Sequence, residues 1–581
     1  MVKKMKLSDY VAKFISEKVK EIFTIPGGGC IHLSDSFARQ QNINVIANHH
    51  EQCSALSAEG YARLNNHIGV CLVTSGPGGS NAWTGTLCSY QDSVPVMVIS
   101  GNVNKKLTTN YTNLNLRQLG DQEFNVSKTV SNFTKYSVQI NNPLEIKYEL
   151  EKAYHIATTG RKGPVWIDIP LDVQSSEIDL NTLKGYTPND DDTHHINDDT
   201  LHDFLNKLSK AKKPLIIAGY GVRLSGSVDL LDRILEKYNI PVITSFNGND
   251  SVSNEYKYYC GRFGTHAQIA ANTLLKESDF ILALGSRLYV RQIGYNFKNF
   301  APNAFKAYVD IDKNELEKPT IFPDLKINTD VKYFLQTIEK NIKITDINKW
   351  REHCKNLFKD TPKILEHHKN SKELSVYNFV NTLNNYLNAE IPIVTSDGSA
   401  NIVGMQILNL KKNQRLFSNK GTAPMGYGMP AAIGACFSNN KNKIICLEGD
   451  GSLHMNIHEL QVIVQHKLPI KLFVINNNGY LSIKITQEAI CNGLLSLSDP
   501  SSGLTLPSYE KLSNAYGIKY SSIKNPSDFS KISSIINSDL PEFVEVFVKP
   551  FEYHEPRVKV KMDENGNFLP GELHDIQWIK N

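Results

Sequence analysis

Short, almost uninterrupted apolar runs recur along the whole chain: HIGVCLVTS, PVMVISG, GPVWIDIP, PLIIAGYG, DFILALGS, AYVDID, IPIVTSD, KIICLEGD and IKLFVINN. Runs this short, without polar alternation, read as strands covered on both faces. Helix-periodic stretches between them supply the crossovers that parallel strands need. The expected class is α/β, with mainly parallel sheets flanked by helices. A chain of 581 residues with 41% hydrophobic content is too long for one core and rich enough for several. Two polar connectors, PNDDDTHHINDD at 188–199 and the stretch 340–374, divide it. The boundaries predicted are 1–185, 190–345 and 365–550, followed by a polar tail over 551–581. The acidic histidine run at 190–199 lacks a regular ligand spacing and reads as a solvated linker.

Charge and cysteine usage narrow the function class. The net charge is +4 with acids and bases interspersed, so no basic stripe points to nucleic acid or a membrane surface, and small molecules are the expected partners. Nine cysteines, mostly in apolar surroundings and without a CxxC pair, read as buried reduced thiols in a cytoplasmic protein. The first residues carry Leu7, Val11, Ile15 and Val19 at helical spacing among charges, unlike a signal peptide, and no run of 18 apolar residues follows. A soluble chain is expected.

Two neighbouring strands end in oxygen-rich turns. IICLEGDGS places Gly449 and Gly451 around Asp450, and IKLFVINNNG ends 27 positions later at Asn477. In an open parallel sheet ligands gather at the carboxyl ends of strands. Glycines let backbone N–H groups approach a phosphate, and Ser452 continues the same turn. Asp450, the amide oxygen of Asn477 and the carbonyl of Gly479 are hard oxygen donors suited to Mg2+. A GDG turn alone is weak evidence, because strand ends carry Asp for turn reasons too. Paired with the two-Asn turn at this spacing, it is specific.

With these turns the chain resembles the thiamine diphosphate-dependent enzymes, whose diphosphate motif is GDG followed after some 25 to 30 residues by NN. Further stretches are similar to the acetolactate synthase branch: FTIPGGG at 23–29, HEQCSALSAEGYAR at 50–63, TSGPGGSN at 74–81, RQLGDQEFNV at 117–126 and APMGYGMPAAIGA at 423–435. The resemblance covers nearly the whole chain. It implies a pyrimidine-binding domain, a central domain and a diphosphate-binding domain, with thiamine diphosphate and Mg2+ as cofactors. Glu51 matches the family's glutamate at pyrimidine N1′, which favours the imino tautomer that takes the thiazolium C2 proton. Met425 matches the apolar wedge between the cofactor rings, and the Ala423 carbonyl matches the contact to the 4′-amino group. Gln122 matches a glutamine beside the reacting carbons. Gly27 and Gly28 admit cofactor or substrate near the backbone, and His49 and His50 lie beside this site.

The central stretches PLIIAGYGVR, GRFGTHA, LALGSRLYVRQIG and VDID are similar to the family's flavin-binding domain, implying FAD near Arg291. Two acidic residues ordinarily precede that arginine; Tyr289 and Val290 stand there instead, leaving the flavin structural, altered or absent. The synthases' acceptor-pocket tryptophan after the Asn turn is replaced by Thr486 or Gln487, which suits a more polar acceptor. The tail resembles synthase-like proteins of nucleotide-sugar and surface-polysaccharide pathways. It is compatible with either a cover over the active-site entrance or a solvated segment. The expected activity is decarboxylation of a 2-oxo acid and transfer of the activated aldehyde to an acceptor such as a keto sugar nucleotide. A non-ligating decarboxylase, a flavin-linked 2-oxo acid oxidase and a silent binding relative are the alternatives. The resemblance also implies a homodimer or homotetramer with active sites between subunits.

Overall fold

The computed structural model describes residues 4–112, 114–188, 195–558, 561–562, 568–569 and 571–579. Residues 189–194 of the expected linker lie outside them. Three six-stranded sheets organise the chain, and every strand pair within them is parallel. Numbered in chain order within each domain, the N-terminal strands (Glu21–Thr24, Asn44–Ala47, Gly69–Val73, Val96–Asn102, Tyr136–Gln139, Val165–Pro170) lie in the order 2-1-3-4-6-5. The C-terminal strands (Ile393–Thr395, Leu416–Phe417, Ile444–Gly449, Ile470–Asn476, Lys519–Ile523, Glu542–Phe547) repeat that order. The central domain (Pro214–Ala218, Val242–Thr244, Tyr259–Arg262, Phe280–Leu284, Phe305–Asp310, Leu325–Asn328) is instead 3-2-1-4-5-6, a doubly wound order whose switch point lies between its first and fourth strands.

The apolar runs explain the sheets. Gly69–Val73, Pro214–Ala218 and Phe280–Leu284 are buried at every position, as strands covered on both faces must be. The N- and C-terminal domains share one core. Helix Glu51–Asn65 of the first lies against helix Gly428–Ser438 of the second, each following the second strand of its own sheet. Their backbones meet at reciprocal glycines. A Cβ on Gly60 would lie 2.1 Å from the Ala431 carbonyl oxygen, and one on Gly434 only 1.8 Å from that of Ser57. Beside this contact Arg63 is buried between Glu59 (2.8 Å) and Asp92 (2.6 Å). Removing one member of such a buried ion set costs about 3–5 kcal/mol, because the remaining charge is stranded away from water.

The described part of the tail is docked, not solvated. Leu573 and Ile576 are buried, the Asn272 side chain donates to the Leu573 carbonyl, and Trp578 packs against His368. Apolar side chains within this polar stretch anchor it to the central and C-terminal domains, and the composition conceals them. All nine cysteines are free, with only Cys491 exposed. Among the described residues no helix is long and apolar enough to cross a membrane.

Candidate functional site

In the C-terminal sheet the third and fourth strands run in register, Glu448 opposite Val474 and Gly449 opposite Ile475, so their turns emerge side by side. There they enclose a cavity of about 120 Å³ lined by Asp397, Met425, Gly449 to Ser452, Asn477, Gly479 and Ser482 among others. Asp450 is 2% exposed; its carboxylate accepts from the backbone N–H of Gly451 (2.7 Å) and of Gly479 (3.1 Å). Burial pushes its pKa up to about 6, and the four backbone hydrogen bonds oppose the rise without cancelling it. The Asn477 Oδ1 atom is buried and without a partner. An orphaned buried acceptor costs stability unless something fills it. Together with the Asp450 carboxylate and the Gly479 carbonyl it forms an all-oxygen donor set that fits a hard divalent cation. The turn geometry is glycine-dependent. Gly479 has φ +140°, and a Cβ on Gly451 would lie 2.2 Å from the Tyr480 ring. Tyr509 donates to the Asp450 carbonyl at 2.8 Å, and Ser452 Oγ accepts from Gly426 N, tying the GDG turn to the Met425 loop.

A second cluster lies in the N-terminal domain around the turn 74–78. A Cβ on Gly27 would lie 2.5 Å from Thr74, whereas Gly28 faces open space. Gly76 lies against the carbonyl of Gln122, which takes φ +54° and keeps an exposed side chain. Glu51 opens its helix, is buried, and accepts from Asn81 Nδ2 at 2.9 Å. Gly27, Gly28, Glu51 and Gln122 are thus brought together. None of them lines the C-terminal cavity, whose walls come from residues 397–483 alone. His50 caps the helix by accepting from Gln52 N, and His49 N donates to Glu459 of the C-terminal domain. Helix capping accounts for the His50 side chain, whereas the His49 contact between domains is made by its backbone.

Ala423 holds φ +49° at the end of a loop fixed by residues that sequence reasoning missed. Asn419 Oδ1 accepts from Thr422 N and Ala423 N, Asn419 Nδ2 donates to Glu59, and Asp92 accepts from Lys420 N and Gly421 N. The buried acids Glu59 and Asp92 lie far from this loop in sequence, and no short motif joins them to it. Within one chain Thr486 and Gln487 stand away from this cavity. Thr486 is exposed and bonds its own helix, while Gln487 bonds the loop at Ser496 and Ser498. Ser482 and Ile483, one helical turn earlier, line the cavity instead.

The central domain carries a cavity of about 320 Å³ at the carboxyl ends of its strands. Tyr220, Gly221, Gly285, Asp310 and Asp330 border it, joined by Arg161 and Lys162 from the N-terminal domain and Lys420 from the C-terminal one. Arg291 is not among these residues. It lines a neighbouring compartment of about 40 Å³ with His266, Asp397 and Ala423. Tyr289 and Lys420 border both spaces. The larger space fits the nucleotide part of FAD, but the smaller has room for only roughly one to three waters. With the side chains as they stand, the smaller compartment is too small for a flavin ring system. A separate trio, His367, His368 and Glu555, has metal-like spacing. His368 Nδ1 accepts from Leu365 N, so its Nε2 carries the proton it gives Glu555 and is not a free ligand.

Comparison with known proteins gives three family matches. Residues 5–126 match the N-terminal TPP binding domain of thiamine pyrophosphate enzymes, 201–338 their central domain, and 397–546 their C-terminal TPP binding domain. The acetolactate synthase large subunit of Lactococcus lactis subsp. lactis is 33% identical over 93% of this chain and 92% of its own length. A probable acetolactate synthase large subunit of Methanococcus aeolicus is 31% identical over 92% and 90%. The isozyme 3 large subunit of Escherichia coli is 28% identical over 94% and 95%.

Proposed function

The chain belongs to the thiamine pyrophosphate enzyme family, in its acetolactate synthase-like branch, and from that premise we propose that it decarboxylates a 2-oxo acid and transfers the activated aldehyde to a polar acceptor. The observation that carries the site assignment is the buried, unpartnered Asn477 Oδ1 beside the Asp450 carboxylate. In this reading Asp450, Asn477 and the Gly479 carbonyl hold Mg2+, and Gly449, Gly451 and Ser452 receive the diphosphate. Thiamine diphosphate supplies, when bound, a thiazolium carbon nucleophilic enough to attack a 2-oxo acid and able to accept the electron pair released with CO2. Glu51 holds the proton given to the pyrimidine ring. Met425 and the Ala423 carbonyl orient the two rings in a cleft from which water is excluded. Asp397, Ser399 and Ser482 give the cavity wall the hydrogen-bonding groups that a polar acceptor needs, and a keto sugar nucleotide is the acceptor class proposed. A reducing, cytoplasmic setting suits the nine free thiols.

The same reading requires a second copy. Glu51 and the cation site lie on different domains and do not share a cavity within one chain. Exposed apolar side chains flank both, among them Ile31 and Leu119 near the first and Met455 and Leu497 near the second. Apolar surface of this kind marks an interface. A two-fold dimer that joins the cluster around Glu51 of one copy to the Asp450 cavity of another completes two equivalent sites, and a dimer of dimers is the next closed arrangement.

The test is incubation of the purified protein, thiamine diphosphate and Mg2+ with a panel of 2-oxo acids, with and without keto sugar nucleotides, followed by mass spectrometry. A ligated product supports the proposal. Free aldehyde alone assigns a non-ligating decarboxylase, and a carboxylic acid formed with electron uptake assigns an oxidase. Turnover of no 2-oxo acid by thiamine diphosphate-loaded protein rejects all three.

A further inference from the structure

The cavity at the switch point of the central sheet differs from what a flavin domain requires. Its volume of about 320 Å³ falls at the small end of the roughly 300–1,000 Å³ typical of ligand pockets. The 3-2-1-4-5-6 strand order places it where doubly wound sheets bind nucleotides. The backbone there is close-packed. A Cβ on Gly219 would lie 2.2 Å from the Gly285 carbonyl oxygen, and one on Gly221 2.6 Å from the Gly285 Cα. That packing draws two strand ends together at the floor of the space.

The polar groups on the wall divide by chemistry. Asp310 ends the fifth strand, and its Oδ1 accepts from the Asp312 backbone N–H, leaving the second carboxylate oxygen for a ribose hydroxyl. Of the cations, Arg161 is held by Asp312 and Glu315, and Arg287 by the Gln91 carbonyl and Glu315. Lys162 has neither an ion pair nor a hydrogen bond among the described residues, although it borders the cavity and is half-buried. An ammonium enclosed this way favours an anionic partner, and a diphosphate supplies one.

At the inner end the space stops. Lys420 turns its ammonium inward, donating to Asn401 Oδ1 and lying 5.6 Å from the Phe246 ring, and Tyr289 stands beside it. Beyond these two side chains only about 40 Å³ remains before Ala423 and Asp397. With the side chains as they stand, that space is smaller than a planar tricycle attached to the diphosphate needs. We infer that the central-domain cavity takes a nucleoside diphosphate in place of FAD, with the sugar at Asp310, the diphosphate at Lys162, and Lys420 and Tyr289 closing the end where a flavin ring would lie.

This inference is independent of the carboligase reading, because thiamine diphosphate binding is scored separately in the same samples. ADP, UDP, UDP-glucose and FAD are each titrated into the full-length wild-type protein by calorimetry, and acid extracts of the purified protein are analysed for nucleotides. At least one nucleoside diphosphate or its sugar ester should bind at least about tenfold more tightly than FAD. Tighter binding of UDP-glucose than of UDP assigns the cavity to a sugar nucleotide; the reverse assigns it to a free nucleotide. Lys162→Ala should weaken that binding about tenfold or more. Lys420→Gly should gain FAD binding, read as flavin absorbance retained through gel filtration. If Lys420→Gly fails to fold, the wild-type comparison decides alone. Stoichiometric FAD in wild-type extracts, binding of FAD as tight as that of the diphosphates, or binding of none of the four overturns the inference.

Discussion

The N- and C-terminal domains share a strand order, 2-1-3-4-6-5, and the helices after their second strands pack on one another, yet their strand ends carry different chemistry. After the third strand of the C-terminal sheet comes Asp450, buried and facing an orphaned amide oxygen. After the third strand of the N-terminal sheet comes Thr74-Ser75-Gly76-Pro77, which has no acid and packs against Gly27, Gly29 and Gln122. The N-terminal acid is Glu51, at the start of the helix after the second strand, where the C-terminal domain has the loop of Ala423 and Met425. One backbone plan thus offers equivalent positions, and the residue placed at each decides whether it can hold a cation or a proton. The central domain, with a different strand order, places its cavity at a switch point instead.

The largest expected effect tests the cation side of this contrast. Asp450→Ala should weaken Mg2+-dependent thiamine diphosphate binding by more than the roughly 10–100-fold of an outer-shell change, measured by calorimetry; an unchanged Kd removes Asp450 from the site. The proton side is tested by Glu51→Gln, which should leave cofactor affinity largely intact and slow C2 proton exchange about 10²–10⁴-fold, followed by NMR. If both variants fail in the same way, the two domains do not divide the work. Mixing the two inactive proteins sharpens the point. With subunit exchange verified by native mass spectrometry, a heterodimer should regain up to about half of wild-type turnover, since one of its sites recombines both native residues. No recovery contradicts a shared site.

A smaller effect concerns the helix contact that joins the domains. Gly434→Ala drives a methyl group into the Ser57 carbonyl and should cost about 1–3 kcal/mol, seen as a lower midpoint in urea; an unchanged midpoint means the helices separate freely. The smallest lies within the N-terminal sheet. Burial pushes Asp168 up to about 7 against its hydrogen bonds from Ser100 and Asn102. The folded chain therefore keeps a proton that the unfolded chain loses near its ordinary value of 3.8. Stability from this group is fully present below about 4 and falls as pH rises to about 7. Asp168→Asn should flatten that slope in unfolding midpoints measured across the range, and an identical slope in wild type and variant excludes Asp168 as its source.

Local information was enough for much of this. Ile444–Gly449 and Ile470–Asn476 announce themselves as buried strands because their residues are mostly apolar, with only Glu448, Lys471 and Asn476 polar, and Gly451 beside Asp450 marks a close approach, since a Cβ there would meet the Tyr480 ring. The two turns meet because parallel strands in register must deliver their ends together. The sequence left the tail open between two readings because Leu573, Ile576 and Trp578 are scattered among polar residues and show their purpose only against the side chains that receive them.

The sequence by itself determined the class of fold and the number of parallel sheets, and it put Asp450 and Asn477 at the ends of two neighbouring strands, since each follows from the pattern of a continuous segment. Only the tertiary structure decided that Asp92 and Glu59 hold the Ala423 loop, that Ser482 and not Thr486 faces the cavity, and that Lys420 and Tyr289 close the central space. Those outcomes depend on side chains more than a hundred residues apart, or on which face of a helix is turned inward. Packing sets both, and no single stretch of the chain encodes them.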